Sequence, residues 1–366
     1  MTQNTQKISA TKDRLYMELA LRLARRVLGR VAPNPAVGCL LVRDDMIVGR
    51  GATQAGGRPH AETQALTQAG TLAKGATAYV TLEPCAHEGE TPACVQALIK
   101  AKLARIVIAH RDPDPRTNGK SIAILRAAGL DVVENVMADE AQRLNLGFLL
   151  RIHKGRPMVT LKIATSKNGM MRVPQSTQKS TQIEDAQEKW ITGTAARQRA
   201  HLMRATHDAI LVGMETALID NPKLDCRLSG MAAYSPQPFI ASRKRALPNS
   251  YHLHGKAQIL THATPASMLA ALGKQGITRV LLEGGAQLAK AFLEADLVDA
   301  INWFCAPHDL ADNGESDMAF MGLANMANRH EPHSKTFQLI GEENWDKDKL
   351  TLWQRKDLHG LLPSAR

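Results

Sequence analysis

Short β-branched or apolar runs alternate with helix-like segments along the 366-residue chain. In its first part, strands are predicted over Val37 to Val42, Met46 to Gly49 and Thr77 to Leu82, and a helix over His60 to Ala69. Strands that alternate with helices in this way build layered α/β domains. One ordinary core cannot hold so long a chain, since domains contain about 100–200 residues. The sequence therefore predicts two α/β domains.

The alternation is interrupted at residues 147–157, where basic residues, Gly and Pro are mixed. It restarts with a predicted strand over Met158 to Ala164. We therefore expect one domain over residues 1–150 and a second over residues 155–366. Near the N-terminus, apolar residues spaced four apart predict a helix over Arg14 to Leu28, with Asp13 as its N-cap.

Composition narrows the classes of partner. The chain has 46 Lys and Arg against 35 Asp and Glu, a net charge of +11, which favours anionic partners. Aromatic residues make up only 4% of the chain and offer few platforms for bases, so we expect phosphorylated small molecules and no nucleic acid. The sequence contains no apolar run long enough to span a membrane, and its first residues lack a secretory signal. We expect a cytoplasmic protein without membrane contact.

Three candidate zinc ligands occur in the first domain, namely His60, Cys85 and Cys94. Five scattered cysteines argue against a disulfide framework and leave metal binding or burial. One imidazole and two thiolates suit Zn²⁺ and leave its fourth position for water. Glu62 can carry a proton from that water to a leaving amine without binding the metal itself. His-x-Glu followed by Pro-Cys is the pattern of zinc deaminases that act on bases.

Each part of this pattern also has a structural interpretation. A lone His-Ala-Glu is usually a surface helix start, and a lone cysteine is usually a small buried hydrophobic residue, which is our interpretation of Cys39, Cys226 and Cys305. His87 competes as a ligand, but its spacing does not fit and we interpret it as lining the pocket. The order of the parts favours zinc, because Glu-Pro-Cys follows a strand and Pro84 stands where a helix could begin.

The spacing of these residues resembles that in the pyrimidine deaminases of riboflavin biosynthesis. Pro-Asn-Pro-Ala-Val-Gly at 33–38 and the segment 78–85 are similar to that family, and eight residues rather than two separate Cys85 from Cys94. The resemblance continues in the second half, at residues 190–193, 208–213 and 283–285. The chain is thus similar to the bifunctional deaminase/reductases of riboflavin synthesis.

This resemblance implies a cytidine-deaminase-like three-layer α/β/α domain followed by a dihydrofolate-reductase-like α/β domain. It implies zinc-dependent deamination of 2,5-diamino-6-ribosylamino-4(3H)-pyrimidinone 5′-phosphate, and then reduction of the ribosyl to a ribityl side chain. The implied cofactors are one Zn²⁺ per chain and NADPH, and we expect a homo-oligomer. In the first domain it implies that Asn34, His87 and Asp112 bind the substrate, although Asn34 could also be a turn residue between two prolines.

For the second domain the resemblance implies two sets of contacts. Those with the substrate would involve Lys162, Thr192, Arg204, Asp220, Leu224, Arg227 and Glu283. Those with NADPH would involve Ala164, Trp190, Thr216, Asp220, Gly285, Ala286, Gln287 and Leu288. The residue types support an anion site, because arginine suits phosphate and the glycine pair before a predicted helix permits close backbone approach. The sequence departs from the family pattern at Glu90, at Asp114 and over residues 166–171.

Two other functions fit parts of the sequence. One is a nucleic-acid deaminase that acts on tRNA through a C-terminal binding domain, but the long cysteine spacing and scarce aromatics argue against it. The other keeps the deaminase and makes the second domain a non-catalytic binding or oligomerisation module, which the departures around Asn168 would explain. Binding of NADPH distinguishes this last function from a bifunctional enzyme.

Overall fold

The computed structural model describes residues 3–86, 93–171, 190–243, 246–310, 316–323 and 336–357. The chain forms two compact units, with the division between Lys154 and Gly155. Each unit has one sheet with helices packed against it, so the predicted pair of α/β domains is confirmed. Within the described ranges, every helix is too short or too polar to cross a membrane.

The first unit is built on a five-stranded sheet. Its strands are β1 (Gly38–Arg43), β2 (Met46–Ala52), β3 (Thr77–Val80), β4 (Arg105–Ile108) and β5 (Asp131–Val133). Their order in the sheet is β2-β1-β3-β4-β5, with β1 antiparallel to both neighbours and β3, β4 and β5 parallel. The helices are α1 (Gln3–Arg25), α2 (Ala61–Ala69), α3 (Cys94–Lys100), α4 (Lys120–Ala127), α5 (Ala138–Leu144) and α6 (Leu146–Lys154).

Side chains that alternate along the central strands create the two cores of this unit. Cys39 and Leu41 of β1 face a core shared with α2, α3 and α4. Leu40 and Val42 face the opposite core, shared with α1 and α5. Because successive strand residues point to opposite faces, a strand that is apolar throughout must be covered on both sides. The result is a three-layer α/β/α unit.

The predicted N-cap at Asp13 is wrong, because α1 begins ten residues earlier and Asp13 lies inside it. The Asp13 carboxylate is almost fully buried and accepts hydrogen bonds from both terminal nitrogens of Arg105, at 2.7 and 2.8 Å. The Tyr79 hydroxyl donates to it at 3.1 Å. This ion pair explains why an acidic residue interrupts the apolar side of the helix.

The second unit is built on an eight-stranded sheet in the order β12-β13-β11-β6-β10-β7-β8-β9. Its strands are β6 (Met158–Thr165), β7 (Ala209–Gly213), β8 (Gln237–Ala241), β9 (Gln258–Leu260), β10 (Arg279–Leu282), β11 (Ala300–Cys305), β12 (Phe337–Trp345) and β13 (Asp348–Arg355). Six of its strands are parallel to one another, namely β11, β6, β10, β7, β8 and β9. The hairpin of β12 and β13 is added antiparallel to β11. The helices are α7 (Thr194–Arg204), α8 (Met214–Asp220), α9 (Pro265–Lys274), α10 (Ala286–Glu294) and α11 (Asp317–Phe320).

Residues 147–157, where the sequence suggests a boundary, include most of helix α6. This helix buries Phe148, Leu149 and Leu150 in the first unit. Residues 151–154, which fall between the two predicted domains, are its last turn. Its basic residues conceal the helix in the sequence, although Lys and Arg are good helix formers.

Candidate active sites

The three candidate zinc ligands converge in the first unit. Nδ1 of His60 lies 3.3 Å from Sγ of Cys94 and 3.7 Å from Sγ of Cys85. All three ligand atoms lie within 4.8 Å of one another. His60 is the N-cap of α2, Cys94 is the first residue of α3, and Cys85 follows the end of β3. Two helix N-termini and one strand end therefore meet at this edge of the sheet.

These distances fit a tetrahedral zinc ion. Zn–S bonds of about 2.3 Å and Zn–N bonds of about 2.0–2.1 Å place ligand atoms roughly 3.5–3.8 Å apart. The site also favours a thiolate. Hydrogen bonds from the Cys94 thiol, from His60 and from the Cys94 backbone N–H lower the pKa of Cys85 to about 4. The N–H of Cys94 donates to Cys85 Sγ at 3.2 Å.

Glu62 lies beside this cluster in the first turn of α2. Its side chain is 4% exposed, and burial raises the pKa of its carboxyl group. It lies close enough to His60, Cys85 and Cys94 to interact electrostatically with all three. A carboxyl group that is held out of water next to a metal site can take up and return a proton.

A helix does not begin at Pro84 as the sequence suggests. Residues 83–86 are non-helical, and α3 begins at Cys94. The thiol at a helix N-terminus is therefore that of Cys94 rather than that of Cys85. His87 and Glu90, between the two cysteines, lie outside the described residues.

The two described residues that are predicted to bind the deaminase substrate lie on separate loops of the first unit. The side-chain amide of Asn34 donates to the carbonyl of Gly57 at 2.9 Å, three residues before His60. Gly57 has a φ of +91°, and a Cβ there would lie 2.3 Å from Nδ2 of Asn34. Asp112 lies close enough to Cys85 to interact electrostatically with it, and its pKa is raised to about 7, chiefly by burial.

Glu83 is a buried carboxylate that the sequence reasoning missed. Its side chain accepts the backbone N–H of Asp112 at 3.2 Å, that of Gly119 at 3.0 Å and the Ser121 hydroxyl at 2.6 Å. It therefore fixes the loop after β4 next to the Pro84-Cys85 step. Its position directly before Pro84 and Cys85 was the sequence signal that could have identified it as a residue of the site.

In the second unit, three of the predicted substrate contacts form one cluster. Lys162 lies on β6, and Glu283 directly follows β10, which pairs in parallel with β6. Glu283 accepts Nε and Nη2 of Arg204, both at 2.9 Å. Burial alone would raise the pKa of Glu283, but Arg204 and then Lys162 lower it to about 2. Burial lowers the pKa of Lys162, and Glu283 offsets part of this shift.

Arg227 reaches the same region from a different loop. Its side chain is 51% exposed. Its Nη2 lies 3.5 Å from Nε2 of His201, and its backbone N–H donates to Nδ1 of His201 at 3.3 Å. His201, three residues before Arg204 on α7, is a second residue that the sequence reasoning missed. The spacing of three, which places both residues on one helix face, could have indicated it.

The predicted cofactor residues lie on several elements of this unit. Thr216 on α8 accepts the backbone N–H of Gly285 at 3.1 Å. Gly285 is the N-cap of α10, which begins with Ala286, Gln287 and Leu288. Ala164 lies on β6, two residues after Lys162. A helix N-terminus next to strand ends is a common place for an anionic cofactor.

The segment before α7 is held by a residue with no signal in the sequence. Asp348 on β13 is buried and accepts the N–H of Gly193 at 2.6 Å. This bond anchors the chain directly after Thr192. Trp190 is 51% exposed, and the guanidinium of Arg197 lies 5.5 Å from its ring centroid.

The remaining two predicted contacts differ in exposure. Leu224 is 4% exposed and packs in a core of the second unit, so its side chain faces other apolar residues. Asp220 is exposed at the end of α8. The structure therefore brings Lys162, Arg204 and Glu283 together and leaves the side chain of Leu224 in the core.

Comparisons with known proteins match both units. Residues 10–110 match the family described as the cytidine and deoxycytidylate deaminase zinc-binding region. Residues 157–321 match the RibD C-terminal domain. The first match covers all three candidate zinc ligands and Glu62, and the second covers the cluster around Glu283.

Relatives similar over nearly the whole chain extend these matches. The riboflavin biosynthesis protein RibD of Escherichia coli is 36% identical over 91% of this chain and 98% of its own length. That of Haemophilus influenzae is 33% identical over 91% of this chain and 96% of its own length.

Solved structures agree. Acinetobacter baumannii RibD has a TM-score of 0.81 at 34% identity and covers 95% of this chain and 99% of its own. A diaminohydroxyphosphoribosylaminopyrimidine deaminase/5-amino-6-(5-phosphoribosylamino)uracil reductase from Thermotoga maritima has a TM-score of 0.81 at 29% identity, with the same coverage. The chain therefore belongs to the RibD family of bifunctional riboflavin biosynthesis proteins, which join a zinc-binding deaminase domain to a reductase domain.

Proposed function

We propose that this chain deaminates 2,5-diamino-6-ribosylamino-4(3H)-pyrimidinone 5′-phosphate and then reduces the ribosyl group to a ribityl group with NADPH. The observation that carries the proposal is the cluster of His60, Cys85 and Cys94 with the buried carboxyl group of Glu62 beside it. The Lys162, Arg204 and Glu283 cluster of the second unit supports the reductase half.

In the deaminase site, His60, Cys85 and Cys94 would hold one zinc ion per chain. When bound, zinc supplies a water molecule whose pKa is lowered to about 7. Glu62, buried beside the ligands, would take up a proton on its carboxylate and return it to the leaving amine, since the amine leaves poorly unless it is protonated. Asn34, His87 and Asp112 hold the pyrimidine.

In the reductase site, NADPH supplies the hydride that is transferred to C1′ of the ribose. Lys162 holds a proton in a buried position, and Glu283 keeps this cation in place. Arg204 pairs with Glu283 and retains further N–H groups for the substrate, while Arg227 contacts the phosphate. Thr192, Asp220 and the backbone at Leu224 complete the substrate contacts.

The cofactor contacts lie around the start of α10. Gly285 to Leu288 would hold the phosphates of NADPH, with Thr216 fixing Gly285 in place, and Ala164, Trp190 and Asp220 would contact other parts of the cofactor. We further propose that the enzyme works in the cytoplasm as a homo-oligomer on a free phosphorylated pyrimidine and has no nucleic-acid substrate.

The test is to incubate the purified protein with the substrate, with and without NADPH, and to identify the products by mass. Without NADPH, we expect an amine replaced by an oxygen. With NADPH, we expect two further hydrogens. Deamination with no NADPH binding, measured by fluorescence titration, would make the second unit a non-catalytic module, and deamination of tRNA alone would make the protein a nucleic-acid enzyme.

Zinc is tested separately by elemental analysis. The parent protein should carry about one zinc per chain, and Cys85→Ser or Cys94→Ser should lose it because each removes a thiolate ligand. Full zinc content in both variants would place the metal elsewhere.

A further inference from the structure

Arg151, in the last turn of α6, is a half-buried cation without an acidic partner among the described residues. Its Nε atom is buried and has no hydrogen-bond partner there. Burial lowers the pKa of its guanidinium, and no carboxylate in the part of the chain that the structure describes opposes this shift. An arginine that is partly removed from water normally pairs with an anion, because an unpaired buried charge is costly.

One contact of this guanidinium, and one of the residue after its partner, link it to the deaminase site. Nη2 of Arg151 donates to the carbonyl of Pro33 at 3.1 Å. Pro33 directly precedes Asn34, whose side chain donates to Gly57 on the segment that leads to His60. The Arg151 guanidinium therefore lies against the Pro33-Asn34 loop, which is joined through Gly57 to the segment that leads to His60.

A second observation places the same turn of α6 at the same edge of the sheet. His153 lies close enough to His110 to contribute to the lowered pKa of His110, which burial mainly causes. His110 follows β4 and accepts the backbone N–H of Glu83 through its carbonyl at 2.8 Å. The turn that carries Arg151, His153 and Lys154 therefore lies near the end of β4, where the His110 carbonyl is bonded to the segment that leads to Cys85.

We propose that Arg151 binds the 5′-phosphate of the deaminase substrate. The inference rests on the proposed function, since it takes the substrate to be a phosphorylated pyrimidine riboside. Asn34 would hold the ring, and the phosphate would extend along the loop to the guanidinium. Arginine offers a planar fork that suits phosphate oxygens, and its contact with Pro33 leaves other N–H groups to donate.

The test compares the phosphorylated substrate with the same compound after phosphatase treatment, in the parent and in Arg151→Gln. In the variant, KM for deamination of the phosphorylated substrate should rise roughly 10- to 100-fold with little change in kcat, as for loss of a charge-assisted contact. KM for the dephosphorylated compound should be nearly the same in both proteins. Arg151→Lys should recover part of the difference, because it retains the charge.

Arg143→Gln is the matched control, since Arg143 is an exposed cation on α5 and its loss changes the net charge equally. It should leave both KM values unchanged. The Tm of Arg151→Gln should stay the same or rise, because the change removes a half-buried charge that has no acidic partner among the described residues. A lower Tm with equal losses for both compounds would instead make Arg151 a structural residue.

The two proposals fail in different ways. If the parent protein deaminates neither compound, the proposed function is wrong. If the parent prefers the phosphorylated compound and Arg151→Gln retains that preference in full, the proposed function stands and Arg151 is not the phosphate contact.

Discussion

Glu62 shows how burial assigns a role to a single residue. The carboxyl group lies in the first turn of α2, two positions after His60, and is 4% exposed. This offset places it beside the ligand cluster, close enough to Cys94 to interact electrostatically with it. A group that moves protons needs this proximity and a raised affinity for a proton, and both follow from its position.

Replacement of Glu62 by Gln retains the size and polarity of the side chain but removes its ability to take up and release a proton. We expect deamination to fall by about 10² or more while zinc stays bound, because general acid–base groups contribute at least that much. Stopped assays with product identification give the rate, and elemental analysis gives the zinc content. Near-normal deamination by this variant would show that another group carries the proton.

His207 provides a pH-dependent prediction in the second unit. It is fully buried, with Nδ1 2.7 Å from the Met203 carbonyl and Nε2 3.0 Å from the Thr160 hydroxyl. Burial lowers its pKa to about 3 from an ordinary 6.5. The unfolded chain therefore binds a proton that the folded chain does not, so this contribution to stability is lost as the pH falls below 6.5.

The free energy of unfolding should thus fall by about 1.4 kcal/mol per pH unit through this group, and His207→Gln should remove that part of the slope. All four tryptophans lie in the second unit, so their fluorescence follows its unfolding. His254→Gln, at an exposed position, is the control and should leave the slope unchanged. Identical slopes in the parent and in His207→Gln would contradict the assignment.

At the scale of elements, helix α9 packs against the start of the second unit through Gly273. A Cβ at this position would lie 2.3 Å from the carbonyl oxygen of Gly155. The neighbour is backbone, which cannot move aside as a side chain can. The close approach therefore requires glycine inside a helix, where alanine is otherwise preferred.

Gly273→Ala should destabilise the second unit by about 1–3 kcal/mol through overpacking, opposite in sign to the helix propensity. Ala270→Gly, at an exposed position of the same helix, is the matched comparison and should cost about 1 kcal/mol from propensity alone. Urea unfolding followed by tryptophan fluorescence measures both. A stabilised Gly273→Ala would show that α9 can shift away from Gly155.

At the scale of the whole molecule, each proposed site is built from one unit. The zinc ligands and Glu62 lie before residue 155, and the cluster around Glu283 lies after it. Each reaction should therefore survive a defect in the other unit.

The Glu62→Gln variant, supplied with the deaminated intermediate and NADPH, should convert it to the reduced product at the parent rate. Arg227→Ala should deaminate normally but reduce roughly 10- to 100-fold more slowly, the loss of a charge-assisted phosphate contact. A mixture of the two variants should complete the conversion better than either alone, as measured by product mass. A Glu62→Gln protein that is folded yet inactive in both steps would show that the units share one site.

The sequence by itself determined the fold class of both units and the residues of the metal cluster, through its periodicity and its short motifs. Alternation of strands and helices predicted both α/β units. The strands could be recognised in the sequence because burial on two faces makes them apolar throughout. The order of His60, Cys85 and Cys94 along the sequence predicted the metal cluster, because only a few residue types can bind a metal ion. These signals are local, and a local pattern can be read without the fold.

The tertiary structure decided how distant residues are used. Asp13 was expected to cap a helix and instead pairs with Arg105, 92 positions later. Asp348 anchors Gly193 across 155 positions, and Glu283 holds Arg204 across 79. Arg151 was one basic residue in a predicted boundary, and only the path of α6 places it against Pro33. Such pairings depend on which strands and helices become neighbours, and the free energy that selects them is spread over the whole core rather than encoded in any short segment.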